Sequence, residues 1–462
     1  MSISESSTAT ILLNAYRNKA VSPVEIVRAA LARIDRLNPA LNAMYIVDHD
    51  GALASARASE QRWMQRKPCG FLDGIPTTAK DALPTKGYPI YRGAAVYNRA
   101  NVVSLDDAPC IARVKEHGGI LLGKTTMPDF GMLGSGYSSK HGITRNPWDL
   151  RRNPGGSSSG AAVTVAAGIS PIVVGTDIVG SIRLPAAFCG LIGLNPTRGR
   201  VPFYFPNSPA VKAGPLARTV EDAALLMQVI TKPDSRDFTA LPPDGVDYLS
   251  TLDRAITGKR LGLLETIGFG PTADPAVLAA VRKAAEAFGS LGCEVSPIIS
   301  PYFPGDFRPA EDFYRVRVLT EMLQVQENLR ANSKVIDDWT SPANHYSAAQ
   351  LFLHEASMMR LAEKAVRLLG DFDYLLLPTS PTPAFAAELP SPDPDDLFAP
   401  WCNTFLFNLA DLPAISINCG FTPDGLPIGL QIVGKRFDDL GLLQMAFRYQ
   451  NACPMECPWP LL

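Results

Sequence analysis

The chain has 462 residues, 46% hydrophobic and 19% charged, the balance of an ordinary globular protein with a large core. Lys plus Arg number 43 and Asp plus Glu 45, a formal net charge of −2 at pH 7. The totals therefore carry no electrostatic footprint for DNA or RNA, and no nucleic-acid partner is expected. No apolar run reaches the roughly 18–20 residues of a membrane span, and Met1–Ser7 lack the basic region and apolar core of a secretory signal; the expectation is a cytoplasmic protein without membrane association.

In chain order, Ser22-Pro23-Val24-Glu25 reads as a helix start, with serine as cap, proline at the first helical position and glutamate placed to reach back to the cap backbone. Ile26, Val27, Ala30, Leu31, Ile34 and Leu37 follow at helical spacing and predict an amphipathic packing helix. Leu121-Leu122-Gly123-Lys124 and Ile172-Val173-Val174-Gly175 read as short buried strands. Thr231–Val246 and Pro390–Asp396 have loop composition and are the candidate domain boundaries. Asp274-Pro275 repeats the cap logic before a helix over 277–291, and Cys293–Ser296 reads as the next strand. Helices alternating with short hydrophobic strands argue an α/β fold with a buried sheet. The eight cysteines, Cys453 and Cys457 being the closest pair, show no metal-ligand spacing; free thiols and no metal are expected.

Two serines stand out. Ser157 lies in Gly155-Gly156-Ser157-Ser158-Ser159-Gly160 and Ser181 in Gly175-Thr176-Asp177-Ile178-Val179-Gly180-Ser181-Ile182-Arg183, and no charged side chain occurs from Ala161 to Val174. A buried hydroxyl without a partner costs about 1–3 kcal/mol, so hydroxyls in an apolar stretch predict either a dense hydrogen-bond network or a reaction site. This stretch resembles the signature of the amidase signature family of serine hydrolases. Asp73-Gly74-Ile75-Pro76-Thr77-Thr78-Ala79-Lys80-Asp81 is similar to that family's GIP…KD element, and the segments from Asn408 to Ser416 and from Asp424 to Gln431 look like its C-terminal elements. The resemblance spans nearly the whole chain.

What the resemblance implies is a single layered α/β/α domain over 1–462, with a large, mostly parallel mixed sheet covered by helices and an N-terminal helical segment of about 1–65 packed on the core. It also implies an amidase: Ser181 attacks the amide carbonyl, Ser157 in a cis peptide relays the proton, and Lys80 is the base. A lysine serves as a base only when neutral, and burial favours that form. The backbone N–H groups of Ile178, Val179, Gly180 and Ser181 would surround the oxyanion. Ser158 and Ser159 would orient Lys80 and its loop, and Asp177 and Arg183 would form an internal ion pair. The cycle needs no cofactor, the partner is a small-molecule amide, and a homodimer is a family-level expectation. Two positions depart from the family pattern: Val179 and Ser159 stand where glycine is usual.

Phe130, Met132, Tyr137 and Trp401 suggest an apolar or aromatic acyl pocket, with aryl-acylamide and carbamoyl substrates open. Three other readings compete. Gly156-Ser157-Ser158-Ser159-Gly160 matches a nucleophile elbow centred on Ser158, but Asn146–Pro154 ahead of it reads as loop where that motif needs a strand. A phosphate loop fails because no lysine follows the glycines as that motif requires. The amidase subunit of a glutamyl-tRNA amidotransferase complex is the alternative from another biological class. That subgroup typically carries an aspartate three residues before the threonine of T-x-x-x-N-L, where this chain has Trp401 ahead of Thr404, and Phe313–Arg330 replaces its characteristic E-A-S-S-N-L-A-R-Y-D-G stretch. These differences favour a stand-alone amidase.

Overall fold

The computed structural model describes residues 7–97, 103–203, 210–324, 334–393, 395–455 and 459–460. Its strands are β1 (Met44–Val47), β2 (Pro76–Lys80), β3 (Ile120–Thr125), β4 (Tyr137–Ser138), β5 (Gly142–Ile143), β6 (Ile172–Asp177), β7 (Ile192–Asn195), β8 (Lys212–Ala217), β9 (Arg260–Leu263), β10 (Glu294–Pro297), β11 (Tyr374–Pro378), β12 (Ala414–Phe421) and β13 (Pro427–Gly434). β4 and β5 pair with each other, and the other eleven form one mixed sheet in the order β1-β3-β2-β6-β8-β7-β12-β13-β11-β9-β10. Parallel pairing occupies two blocks, β3-β2-β6 and β11-β9-β10. Between them every neighbouring pair is antiparallel, as is β1 on β3. The antiparallel share is thus larger than expected. Short connections account for part of it: β12 and β13 are joined by a tight turn at 422–426, in which Thr422 N–H donates to Leu426 O at 2.9 Å.

Side-chain alternation along the strands builds a core on each face of the sheet. Leu376, Ile415 and Ile432 pack with helices Val220–Ile230, Pro275–Ser290 and Asp439–Ala452 on one face. Their neighbours Leu375, Leu377, Ala414 and Val433 pack with Arg183–Cys189, Arg308–Leu323 and Ala348–Leu369 on the other. This is the three-layered α/β/α arrangement expected. A third cluster seats the N-terminal helix Pro23–Leu41 against Ile120 and Leu122 of β3.

Local sequence logic holds at both predicted caps. Ser22 and Glu25 form a complete capping box with Pro23 in the first turn, and Asp274 accepts from Ala276 N–H ahead of Pro275–Ser290. The segment of about 1–65 holds three helices, Ala9–Arg17, Pro23–Leu41 and His49–Met64, and also β1, which the helical expectation omitted. Thr231–Val246 contains no regular element, and the described part of Pro390–Asp396 contains none either. Phe313–Arg330 is helical to Leu323, and its last six residues lie outside the described ones. Among the described residues no helix is long and apolar enough to cross a membrane. The seven described cysteines are free thiols; Cys457 lies outside the described residues.

Candidate active site

β2 and β6 are adjacent parallel strands, Ala79 standing beside Val174, so Lys80 and Thr176 reach the same edge of the sheet at the strands' carboxyl ends. Open α/β sheets build their sites at this edge. The serine loop enters it from the start of helix Ser159–Ala166, and Ser181 enters from the turn between β6 and helix Arg183–Cys189. Ser158 N–H donates to Ser181 O at 3.1 Å, which ties the two serine-bearing segments together. The Gly156–Ser157 peptide is cis.

Lys80 is wholly removed from solvent. Its Nζ lies 2.9 Å from Ser157 Oγ and donates to Ser158 Oγ and Thr176 Oγ1, each at 2.8 Å, with Thr176 O at 3.3 Å. Burial drives its pKa well below the ordinary value of 10.5; Asp177 and Asp81 pull it back up, and the Arg92 guanidinium pushes it down again. Such an amine is available in its neutral form and can take a proton. Ser158 holds its place by donating to Thr176 O at 3.2 Å. Ser181 Oγ is buried and has no hydrogen-bond partner among the described residues, an unusual state for an interior hydroxyl.

The turn bearing Ser181 is built around Asp177. Its carboxylate accepts from the N–H groups of Gly180 at 2.6 Å and Ile182 at 3.0 Å, and from Arg183 Nε and Nη2 at 3.1 Å each. Burial pushes the Asp177 carboxyl up, and the Arg183 guanidinium with these donors outweighs it, holding the pKa at about 2. Arg183, fully buried, also donates to Thr404 O at 3.0 Å, to Gln431 Oε1 at 2.6 Å and to Asn408 Oδ1. The two C-terminal motifs therefore converge on the salt bridge that shapes the serine turn. Gly180 adopts φ +133, and a Cβ there would meet Thr404 Oγ1 at 2.1 Å, so only glycine fits. Its N–H is taken by Asp177, which leaves those of Ile178, Val179 and Ser181 as the remaining expected oxyanion donors. Val179 does not adopt a positive φ; its side chain is buried in the core, and its carbonyl accepts from Thr404 Oγ1. Ser159 is buried at the start of its helix, and its Oγ lacks a partner among the described residues.

Ser157 and Ser181 open into a cleft whose walls include Met127, Phe130, Ile178 and Phe203 and whose charged members are Arg92 and Arg317. Of the four side chains expected in a substrate pocket, Phe130 lines this cleft. Met132 is core, Tyr137 is half-buried in β4, and Trp401 is fully buried with its Nε1–H donating to Gly156 O at 3.2 Å. Trp401 thus braces the loop of Ser157. Neither Arg92 nor Arg317 announces itself in the sequence, because nothing in their local patterns brings them to one cleft. Asp81, directly after Lys80, also acts through the fold: its carboxylate accepts from the N–H groups of Tyr91 at 2.9 Å and Gly93 at 2.8 Å and so fixes the loop that carries Arg92. No strand precedes the serine loop over Asn146–Pro154, so the nucleophile-elbow reading has no support. Among the described residues no group of three or more His, Cys, Asp or Glu side chains has an arrangement suited to a metal ion.

The fold is shared with amide-cleaving hydrolases, and it gathers Lys80, Ser157 and Ser181 at the strand ends. The chain belongs to the Amidase family, whose family profile matches residues 25–443. A glutamyl-tRNA(Gln) amidotransferase subunit of Myxococcus xanthus (strain DK1622), the one designated A, is 35% identical, over 93% of this chain and 94% of that protein. Among solved structures, a bacterial aryl acylamidase of the amidase signature enzymes is similar with a TM-score of 0.90 at 28% identity, covering 97% of this chain and 96% of the other. The 6-aminohexanoate cyclic dimer hydrolase follows with a TM-score of 0.88 at 27% identity and 99% coverage of both chains.

Proposed function

We propose that this protein hydrolyses a carboxylic acid amide to the carboxylate and ammonia or an amine through an acyl-enzyme on Ser181. Neutral Lys80 takes the Ser157 hydroxyl proton as Ser157 takes that of Ser181, and Ser181 Oγ adds to the amide carbon. The oxyanion faces the N–H groups of Ile178, Val179 and Ser181. Ser157 then passes a proton to the departing nitrogen and regains one from the Lys80 ammonium, which leaves the ester. Water enters by the reverse route, giving its proton through Ser157 to Lys80, and the carboxylate leaves as Ser181 is reprotonated. The observation that carries this reading is the solvent-free Lys80 Nζ at 2.9 Å from Ser157 Oγ. The working unit in this reading is one catalytic domain in a cytoplasmic, reducing setting. Purified protein should release ammonia from primary amides and Ser181→Ala should release none above background; equal release by both proteins would rule the scheme out.

A second reading, the amidase subunit of a glutamyl-tRNA amidotransferase complex, is favoured by the identity to proteins of that name. Those relatives are subunits, so this reading brings in partner chains and a tRNA-linked substrate. Against it stands Trp401, at the position three residues before Thr404 where that subgroup carries an aspartate, so the carboxylate that would meet glutamine's ammonium is missing there. Ammonia release by the isolated chain from amides other than glutamine supports the first reading. Turnover only of glutamine, and only with added partner subunits, supports the second.

A further inference from the structure

The oxygens around Lys80 can be counted against the hydrogens it has to give. A lysine ammonium carries three donors and no acceptor, whereas the neutral amine carries two donors and one lone pair. Three hydroxyl oxygens stand close to Nζ, Ser157 Oγ at 2.9 Å and Ser158 Oγ and Thr176 Oγ1 at 2.8 Å each. The Thr176 carbonyl is farther, at 3.3 Å. Ser158 spends its own proton on that carbonyl at 3.2 Å, so toward Lys80 its oxygen accepts. Thr176 also lines the cleft with Ser157 and Ser181, and its O–H can turn there while its oxygen accepts from Lys80. The threonine is firmly placed: β6 pairs it with Ala213 of β8, and a β-branched side chain has little freedom at χ1.

With both amine hydrogens taken by Ser158 and Thr176, the one group left to face Ser157 is the lone pair. We propose that Thr176 is a positioning residue for the proton relay: it takes one N–H of neutral Lys80 while Ser158 takes the other, so that the lone pair meets the Ser157 O–H. The transfer breaks that O–H bond and forms a third N–H bond, which then points back at Ser157 Oγ. An ammonium with three donors now meets three oxygens. The same three hydroxyls therefore serve both protonation states without rearrangement, and the proton returns along the line by which it came. This deepens the amide-hydrolase reading and rests on it.

The test uses Thr176→Val, which deletes the oxygen and keeps the branched shape, beside Thr176→Ser, which keeps the oxygen. Two rates are followed against pH: ammonia release from a primary amide, and labelling of Ser181 by phenylmethanesulfonyl fluoride, which needs an activated hydroxyl but no amide turnover. Thr176→Val should lower the plateau of both rates about tenfold or more, with KM for the amide within about twofold of native. Its acid limb should also move to lower pH, because losing an acceptor costs the ammonium more than the amine. Thr176→Ser should restore plateau and limb together. Near-ultraviolet circular dichroism checks the fold, and Thr176→Ala gives the same reading should the valine variant not fold. An unmoved plateau and limb in a folded variant without the oxygen, or an equal loss in Thr176→Ser, would overturn the proposal. The predicted changes in labelling, with no amide cleaved by the native protein, would instead contradict the amide-hydrolase reading alone.

Discussion

At the scale of single residues, the account turns on the protonation of Lys80. In the proposed scheme its neutral form is the active one, and burial lowers its pKa well below 10.5, so kcat/KM should rise with pH as the ammonium is lost and reach its plateau below the ordinary lysine range. Arg92 contributes to that lowering. Removing its charge in Arg92→Gln should let Lys80 hold its proton to higher pH, and the acid limb measured on a neutral amide should move alkaline. An unmoved limb would show that the titrating group is elsewhere. Lys80→Met should lower kcat by about 10²–10⁴-fold, the usual share of a positioned base. Lys80, Ser157 and Ser181 are legible in the sequence because each sits in a distinctive local pattern. Arg92 and Arg317 are not, since their juxtaposition arises only when the loop after β2 meets a helix far along the chain.

At the scale of elements, the serine turn owes its shape to the buried Asp177–Arg183 bridge and to the C-terminal segments that cradle it. Arg183→Met should strand the Asp177 carboxylate in the core and cost about 3–5 kcal/mol, read as a lower urea midpoint with an unchanged slope. Arg183→Lys should not restore it, because one ammonium cannot serve Asp177, Thr404, Gln431 and Asn408 together. The native bridge also has an acid signature. The folded pKa of Asp177 is depressed to about 2 from 3.8, so its stabilisation is present above that ordinary value and is lost as pH falls from there through about 2. Helix starts at Ser22 and Asp274 are readable because caps are local chemistry. The antiparallel centre of the sheet is not. β8, Lys-Ala-Gly-Pro-Leu-Ala, places Pro215 and Gly214 in an interior strand paired with β6, a composition that ordinarily argues against one.

At the scale of the whole molecule, the family and the layered α/β/α fold follow from motifs in the right order along the chain, and the sheet brings them to one edge. Substrate choice belongs to this scale too. The sequence suggests Trp401 as pocket lining, yet the fold uses it to brace Gly156 and to pack beside Gly180, while Arg92 and Arg317 in the cleft wall are residues that no motif flags. If the chain works alone, ammonia release per protein molecule should be independent of added subunits and of enzyme concentration. A steep dependence on concentration would point instead to a required second copy.

The most direct test is peptide mapping after treatment with a serine-directed sulfonyl fluoride, on the native protein and on Lys80→Met. The account predicts a single label on Ser181, formed quickly in the native protein and far more slowly in the variant. Labelling of another residue, or equal rates in the two proteins, would contradict it.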